Sequence, residues 1–490
     1  MNGPFDLIVI GGGVNGAGIA RDAAGRGGKV LLLEAGDLAR GTSSASTKLV
    51  HGGLRYLEYY EFALVREALL ERERLWRIAP HIVRPMRFVL PVEPGMRPRW
   101  KLRAGLALYD ALAIGGSLPG TRSIRFDRHP AGAPLKPGPV RGLEYSDCWV
   151  DDARLVVLTA KDAAKRGATI LTRTRATAAR REGGLWTVET SAGSFTGAAL
   201  VNAGGPAADA VAQLAGTETA YHIRPVRGSH IVMSKLFDHP FAYIFQLPDT
   251  RICFAIPWED DFTLIGTTDA DHTGPLDHVH AGEAEIAYLC EAASRYFAKA
   301  LKPSDVVWTY AGVRALVDDG SGRPEAATRG YRLPLSEPGE GAPLLGVYGG
   351  KITSHRHLAE EAVDKLAQRL PALASPAWTA SEPLPGGDFP HDRQADLVAD
   401  LQRDYAFLSQ RDAQRIGRAY GTLARVWLGA AQVWDDLGRR FGAGLSEAEV
   451  EYLKAKEWAQ TAEDVLWRRT KLGMHMSDAE QSALAEFMGG

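Results

Sequence analysis

Residues 6–28 read DLIVIGGGVNGAGIARDAAGRGG, and residues 29–34 continue KVLLLE. The run from Asp6 to Ile10 is short, β-rich and without polar alternation after its first residue, which predicts a buried parallel strand. Gly11, Gly13 and Gly16 follow at the G-x-G-x-x-G spacing, and the next residues have helical composition up to Gly27 and Gly28. A second strand then ends in Glu34. Glycines at these positions permit a tight turn and close approach of a pyrophosphate, a helix N-terminus offers N–H groups to it, and an acid after the second strand accepts hydrogen bonds from a ribose. The glycines alone would be weak evidence; strand, turn, helix, strand and acid in register predict a dinucleotide site.

Two later stretches indicate which dinucleotide. ALVNAGGP (residues 199–206) reads as a strand running into a second glycine turn at Gly204 and Gly205. LLGVYGGKITSHRHLAEEAVDKL (residues 344–366) supplies a third strand, the pair Gly349 and Gly350, and a helix whose N-terminus would stabilise negative charge on a reduced ring. Three such units rebuilding one sheet from distant segments favour FAD over NAD.

Composition narrows the rest. The chain has 490 residues, enough for two or three domains, and its 45% hydrophobic and 24% charged residues are ordinary for a globular protein. A net charge of -2 gives no overall attraction to nucleic acid, so none is expected as a partner. Cys148, Cys253 and Cys290 fit neither a disulfide framework nor a cysteine zinc site, no metal-ligand spacing is present, and a reducing cytoplasm is the expected compartment. The first apolar run lacks a basic leader, and no stretch reaches the roughly 18 apolar residues of a spanning helix.

The stretches DLIVIGGGVNGAGIARDAAGRG, TSSASTKLVHGGLRYLE, EYSDCWVDDARLV, RGSHIV, IGTTD, WTYAGVR and GGKITSHR occur in that order between residues 6 and 356. Together they resemble the aerobic, FAD-dependent glycerol-3-phosphate dehydrogenase family. The resemblance implies oxidation of sn-glycerol 3-phosphate to dihydroxyacetone phosphate, with electrons passing through FAD to a membrane quinone, ubiquinone or menaquinone. It also implies that Ser43, Ser44 and Thr47 lie along the flavin side of the cofactor, and that Arg55, Tyr56, His230, Arg314, Arg329, Lys351 and Thr353 line the substrate pocket.

The residue chemistry agrees with that picture. Oxidising a secondary alcohol needs a base for the hydroxyl proton while hydride leaves carbon. An anionic phosphate suits the forked donors of a guanidinium, and Arg55 in HGGLRY, Arg314 in YAGVRAL and Arg329 in AATRGY each stand beside a motif piece. His230 is a candidate base because imidazole titrates near neutrality. His51 and His355 are rivals, and Lys351 could serve instead or polarise the substrate oxygen. An oxidase of the same fold and a non-catalytic flavin-binding protein are the alternatives; the first usually carries an insertion not recognised here, and the second would not need Arg314, His230 and Lys351.

The expected fold is α/β: a Rossmann-like FAD-binding domain with an antiparallel-sheet substrate domain and a helical C-terminal domain. The FAD domain is expected to be discontinuous, residues 1–85, 141–220 and 345–370. Residues 86–140 and 221–344 would form substrate-binding and membrane-proximal regions, the latter with the β-rich runs SHIVMS, YIFQL, RICFAI and FTLIGTT. A Pro-rich linker over 371–390 would lead to helices over 391–490. RPRWKLRAGLALYDALA, residues 97–113, sets Arg97, Arg99, Lys101 and Arg103 around Trp100 ahead of an apolar helix face, a pattern that suits an interfacial helix on the inner face of the cytoplasmic membrane. A core-packed helix with a basic start is the plainer reading. A cytoplasmic protein held peripherally at the membrane, with a homodimer allowed, completes the expectation.

Overall fold

The structure is a computed structural model that describes residues 3–489 apart from 94, 139, 219–220, 250, 319–329, 337–338 and 340. Two sheets organise it. The first is built on β1 (Phe5–Ile10), α1 (Val14–Gly25) and β2 (Val30–Leu33). β1 lies between β2 and the strand Gly193–Asn202, parallel to both, with Ile8 opposite Leu31 on one side and Leu200 on the other. Strand Leu344–Gly346 extends the parallel set beside Gly193–Asn202, and Thr169–Leu171 extends it beside β2. Leu7, Ile8 and Val9 have no exposed surface, which is why the run carries no polar alternation.

α1 packs against the helices Asp152–Lys165 and His355–Ala367. Gly18 allows the second approach, since a Cβ there would stand 3.2 Å from that of Ala359. Beneath this layer Arg21 Nε donates to Asp162 at 2.7 Å with both side chains buried, so the charge that α1 brings inside is paired.

The second sheet is mainly antiparallel. Strand Ile223–Ser234 sits between Phe262–Gly266 and Val306–Val317, with His230 opposite Tyr310 and Val226 opposite Arg314. The order continues through Ile252–Trp258 and Ala242–Gln246 to Val83–Pro91, which runs parallel to its neighbour, and then to Arg141–Val150. Arg141–Val150 thus lies in this sheet and not beside β1: its near-continuous burial reads like a parallel core strand, yet it is antiparallel to Val83–Pro91 and covered on both faces. α2 (Phe62–Ile78) and α3 (Arg99–Leu112) flank this sheet. Leu106 and Tyr109 hold α3 to the core, and the Tyr109 hydroxyl donates to Asp147 at 2.7 Å.

Residues 394–487 form mostly helices with their own core, in which Leu401, Ile416, Tyr420, Leu453 and Leu484 are buried. Ser409, Ser446 and Ser477 cap three of these helices by accepting from backbone N–H groups in the first turn. The helical unit is joined to the nucleotide domain by a fully buried fork from Arg154 to Glu457. Removing one partner of such a pair costs about 3–5 kcal/mol, because the other charge is left buried. Among the described residues no helix is long and apolar enough to cross a membrane, and no cluster of metal-ligating side chains occurs.

Candidate functional site

A cavity of about 1220 Å³ runs from the C-terminal ends of β1 and β2 to the space between the second sheet and α3. Its first end is shaped by glycine. Gly11 has φ +116, and a Cβ there would meet the carbonyl oxygen of Ala203 at 2.3 Å. Gly16 lies off the cavity; a Cβ on it would stand 1.9 Å from Gly11 O, so its part is to let α1 close onto β1. Gly13 precedes α1, whose first N–H, on Val14, donates to Ser43 Oγ at 3.0 Å. Glu34 turns its carboxylate back on the turn, accepting from Gly12 N and Gly36 N at 2.7 Å each, and burial raises its pKa. Gly204, Gly205, Gly349 and Gly350 line the same space, the last two in the left-handed region at φ +76 and +91. A Cβ on Gly350 would meet Leu358 at 2.8 Å and Asn15 at 3.1 Å. Asn15 Nδ2 donates to Gly349 O at 3.2 Å, while its buried Oδ1 has no hydrogen-bond partner among the described residues. Glycine walls that any side chain would fill, an acid at the ribose position and an orphaned amide oxygen together fit a dinucleotide.

Ser44 departs from the expectation. It does not line the cavity; the 3-10 turn Thr42–Ser44 swings its hydroxyl back to Gly41 O at 3.4 Å. Its neighbour Thr42 lines the cavity instead, and donates to Val313 O at 2.5 Å, tying this turn to the second sheet.

Toward the second sheet the cavity gathers His51, Arg55, Tyr56, His230, Arg314, Lys351 and Thr353. His230 is 1% exposed, hydrogen-bonded through Nε2 to Thr47 Oγ1 at 3.0 Å and stacked on Tyr310 with centroids 4.7 Å apart. Burial first, then the Arg314 and Lys48 charges, push its pKa well below the usual imidazole range, so the ring is neutral at physiological pH. Tyr310 is fixed in turn: its hydroxyl donates to Ser46 O at 2.8 Å, and the Lys48 ammonium, paired with Asp152 at 2.9 Å, lies 4.9 Å from its ring centroid. Arg314 donates to Thr267 Oγ1 at 2.9 Å and Thr268 O at 3.2 Å and pairs with Asp269, which holds the guanidinium plane still. The Lys351 ammonium sits 3.7 Å from the Tyr56 ring centroid, and Thr353 Oγ1 accepts from His51 N at 3.3 Å. His355 does not reach the cavity. As the first residue of its helix it turns inward, bonds Ile352 O through Nδ1 at 2.7 Å, and burial lowers its pKa to about 4. Arg329 lies outside the described residues.

The cavity opens beside α3. Leu57, Tyr60, Leu102 and Leu108 line this end, while Trp100, Tyr60 and Ile114 are 73%, 80% and 77% exposed. Arg97 is committed within the protein to Glu58 by a fork of 2.6 and 2.9 Å, and Arg99 reaches Ser123 at 3.4 Å. Thr42, Asn15, Thr267, Asp269, Glu463 and Arg468 also line the cavity and were not foreseen. IGTTD carried the signal for Thr267 and Asp269; nothing local signals Glu463 or Arg468 from the far end of the chain.

A glycine-walled dinucleotide channel that runs into a pocket of cations and a neutral histidine defines a flavin-type oxidoreductase. Residues 6–348 match the FAD dependent oxidoreductase family, and residues 377–489 match the C-terminal domain of alpha-glycerophosphate oxidase. The chain is 50% identical over 493 residues to the aerobic glycerol-3-phosphate dehydrogenase of Escherichia coli K12, covering 99% of this chain and 97% of that one. It is also 50% identical over 489 residues to the D-erythritol 1-phosphate dehydrogenase of Brucella abortus, covering 98% and 97%. The fold overlays that of a Bacillus halodurans glycerol-3-phosphate dehydrogenase complexed with FAD at a TM-score of 0.77 and 24% identity, covering 99% and 94%. The chain belongs to the aerobic, FAD-dependent glycerol-3-phosphate dehydrogenase family.

Proposed function

We propose that the protein oxidises sn-glycerol 3-phosphate to dihydroxyacetone phosphate, with FAD as the hydride acceptor and a membrane quinone, ubiquinone or menaquinone, taking the electrons onward. The observation that carries this reading is the meeting of Arg314, Arg55, Lys351 and a neutral His230 in one pocket continuous with the dinucleotide channel. Arg314, with its plane fixed by Thr267 and Asp269, sets a guanidinium charge at the phosphate end, and Arg55 adds a second guanidinium whose buried Nε has no hydrogen-bond partner among the described residues. His230 accepts the hydroxyl proton; its Nδ1 is buried without a hydrogen-bond partner among the described residues, and Thr47 and Tyr310 hold the ring. Lys351 sets positive charge beside the alcohol oxygen as that proton leaves. Gly11, Gly13, Glu34, Ser43, Gly204, Gly205, Gly349 and Gly350 hold the cofactor, which when bound supplies the acceptor for the carbon-bound hydride.

The acceptor side rests on α3. Trp100, Ala104, Leu108 and Ala111 on α3 and Ile114 just past its end recur at helical spacing and are all exposed; Ala104 and Leu108 among them line the cavity, and Lys101 and Arg103 are exposed beside them. An exposed apolar stripe flanked by cations suits shallow insertion at the inner face of a membrane, where a quinone resides. A second substrate deserves equal testing on one observation, the equal identity to a D-erythritol 1-phosphate dehydrogenase. That substrate presents the same phosphate on a longer polyol.

The deciding experiment is anaerobic addition of glycerol 3-phosphate, D-erythritol 1-phosphate and glycerol to the purified holoenzyme, followed by bleaching of the flavin's visible absorption and by kcat/KM with a soluble quinone. Fastest bleaching by glycerol 3-phosphate supports the proposal. Faster turnover of the tetritol phosphate moves the substrate assignment, and bleaching by glycerol at a comparable rate overturns the phosphate-anchored site. Stoichiometric peroxide formation in air in place of quinone reduction would identify an oxidase.

A further inference from the structure

We propose that the C-terminal helical domain is part of the cofactor site: Arg468 and Arg469 are positioning residues that hold the Asp37 loop against the adenosine half of the dinucleotide, so this domain sets FAD affinity. Glu34 orients the argument. An acid at the end of the second strand marks the ribose of the adenosine half, and the loop that follows lines the same end of the cavity through Gly36, Ala39 and Arg40.

The base of that loop is Asp37, 2% exposed. It accepts three guanidinium N–H bonds: Arg469 forks onto its two oxygens at 2.8 Å each, and Arg468 Nε adds a third at 2.6 Å. Both arginines come from the far end of the sequence, 431 and 432 positions away. They are consecutive on the π-helix Asp464–Arg469, a rare wide turn that recurs at functional sites and here directs two neighbouring side chains onto one carboxylate.

The arginines are themselves braced. Arg468 pairs with Glu463 at 2.7 Å and Asp464 at 2.5 Å, and Arg469 donates to Glu457 O at 2.6 Å. Asp464 also accepts from Arg173 at 2.7 Å, and the backbone N–H of Arg173 donates to Gly36 O at 2.8 Å, so the loop is gripped at two successive residues. Glu463 and Arg468 line the cavity beside this loop. A loop fixed by buried forked bonds is pre-organised for its ligand; once the grip is cut, ordering the loop weakens binding.

The test is titration of flavin-stripped full-length protein with FAD, ADP and FMN, read by calorimetry and flavin fluorescence. Arg468→Lys keeps the charge but loses the planar donors that reach Asp37, Glu463 and Asp464 together, and its fold is checked by circular dichroism; Glu463→Gln changes a side chain that is 65% exposed, so its circular dichroism and apoprotein Tm should match the wild type. FAD and ADP should each bind about ten-fold more weakly to Arg468→Lys, the size of one lost charge-assisted hydrogen bond, with a smaller loss for Glu463→Gln and FMN unaffected. Unchanged FAD affinity in folded Arg468→Lys overturns the proposal. So does an equal loss for FAD and FMN, which would place the effect outside the adenosine half. If Arg468→Lys fails to fold, hydrogen exchange of the wild-type apoprotein decides: ADP should slow exchange both in residues 35–41 and in the π-helix Asp464–Arg469 and FMN should not, and equal slowing by both or by neither rejects the idea.

Discussion

Replacing Arg314 by lysine tests whether the pocket reads phosphate through guanidinium geometry or only through charge. Arg314 donates to Thr267 Oγ1 and Thr268 O and pairs with Asp269, which fixes the guanidinium plane at the wall of the cavity. A lysine ammonium at that position has one centre of charge, and Asp269 would claim it. The loss is at least one charge-assisted hydrogen bond to phosphate, about 1.5–3 kcal/mol. At about 1.36 kcal/mol per decade this is a fall of roughly 10- to 150-fold in kcat/KM for glycerol 3-phosphate, taken mainly as a rise in KM because phosphate is held alike in ground and transition states. Steady-state kinetics with a soluble quinone, run in parallel on glycerol 3-phosphate and on glycerol, supply the control. Glycerol has no phosphate, so its slow turnover should be unchanged within about two-fold, the scatter such comparisons carry. If turnover of glycerol falls by the same factor as that of its phosphate, Arg314 serves the fold or the flavin and the phosphate site must be rebuilt around other residues. Kinetics identical to wild type would remove Arg314 from the site altogether.

His230→Asn retains a polar group near Thr47 but no titratable nitrogen, and should lower kcat by about 10²–10⁴-fold while leaving the bound-flavin spectrum intact; a wild-type kcat would hand the proton to Lys351. In acid the protein should lose stability early, because burial depresses His81 to about 3 and His355 to about 4. Both folded values lie below the unfolded value of 6.5, so this stability is complete above that pH and lost as pH falls through it, by on the order of 1–2 kcal/mol per histidine by about pH 5. A Tm that stays level from pH 7 to 5 contradicts the buried neutral state of these rings. Trp100→Ala with Leu108→Ala should weaken binding to anionic vesicles and reduction of a vesicle-borne quinone, with substrate bleaching of flavin in solution preserved; intact vesicle binding in the folded variant would make α3 a lining helix only.

What the sequence disclosed and what it hid follow one physical division. Local chemistry was legible. The turn after β1 needs glycine because the backbone of Ala203 would collide with any Cβ on Gly11, and such a need leaves a mark in a single short stretch. Parallel strands buried on both faces leave an equally plain mark, which is why β1, β2 and Leu344–Gly346 were recognisable. Arg141–Val150 shows the limit of that mark, since an antiparallel strand covered on both faces carries the same hydrophobic pattern and only its partner distinguishes it. Ser44 and His355 failed for a related reason: a residue type suited to a site says nothing of the direction in which a 3-10 turn or a helix start points its side chain.

The arginine-rich end of the chain shows the division most sharply. WRRTK at residues 467–471 reads locally as a solvated basic turn, and a run of that kind normally is one. Here Arg468, Arg469 and Lys471 are all buried, because their partners, Asp37 for the first two and Asp151 at 3.6 Å from Lys471, come from the nucleotide domain. Burying a cation is tolerable only with such pairing, so these charges specify how the helical unit docks. An Arg469→Leu change that merely removed polarity would leave Asp37 buried beside the cofactor loop with one partner in place of two. The docking and the shape of the adenosine end are therefore set by the same contacts, and no reading confined to neighbours in sequence contains them.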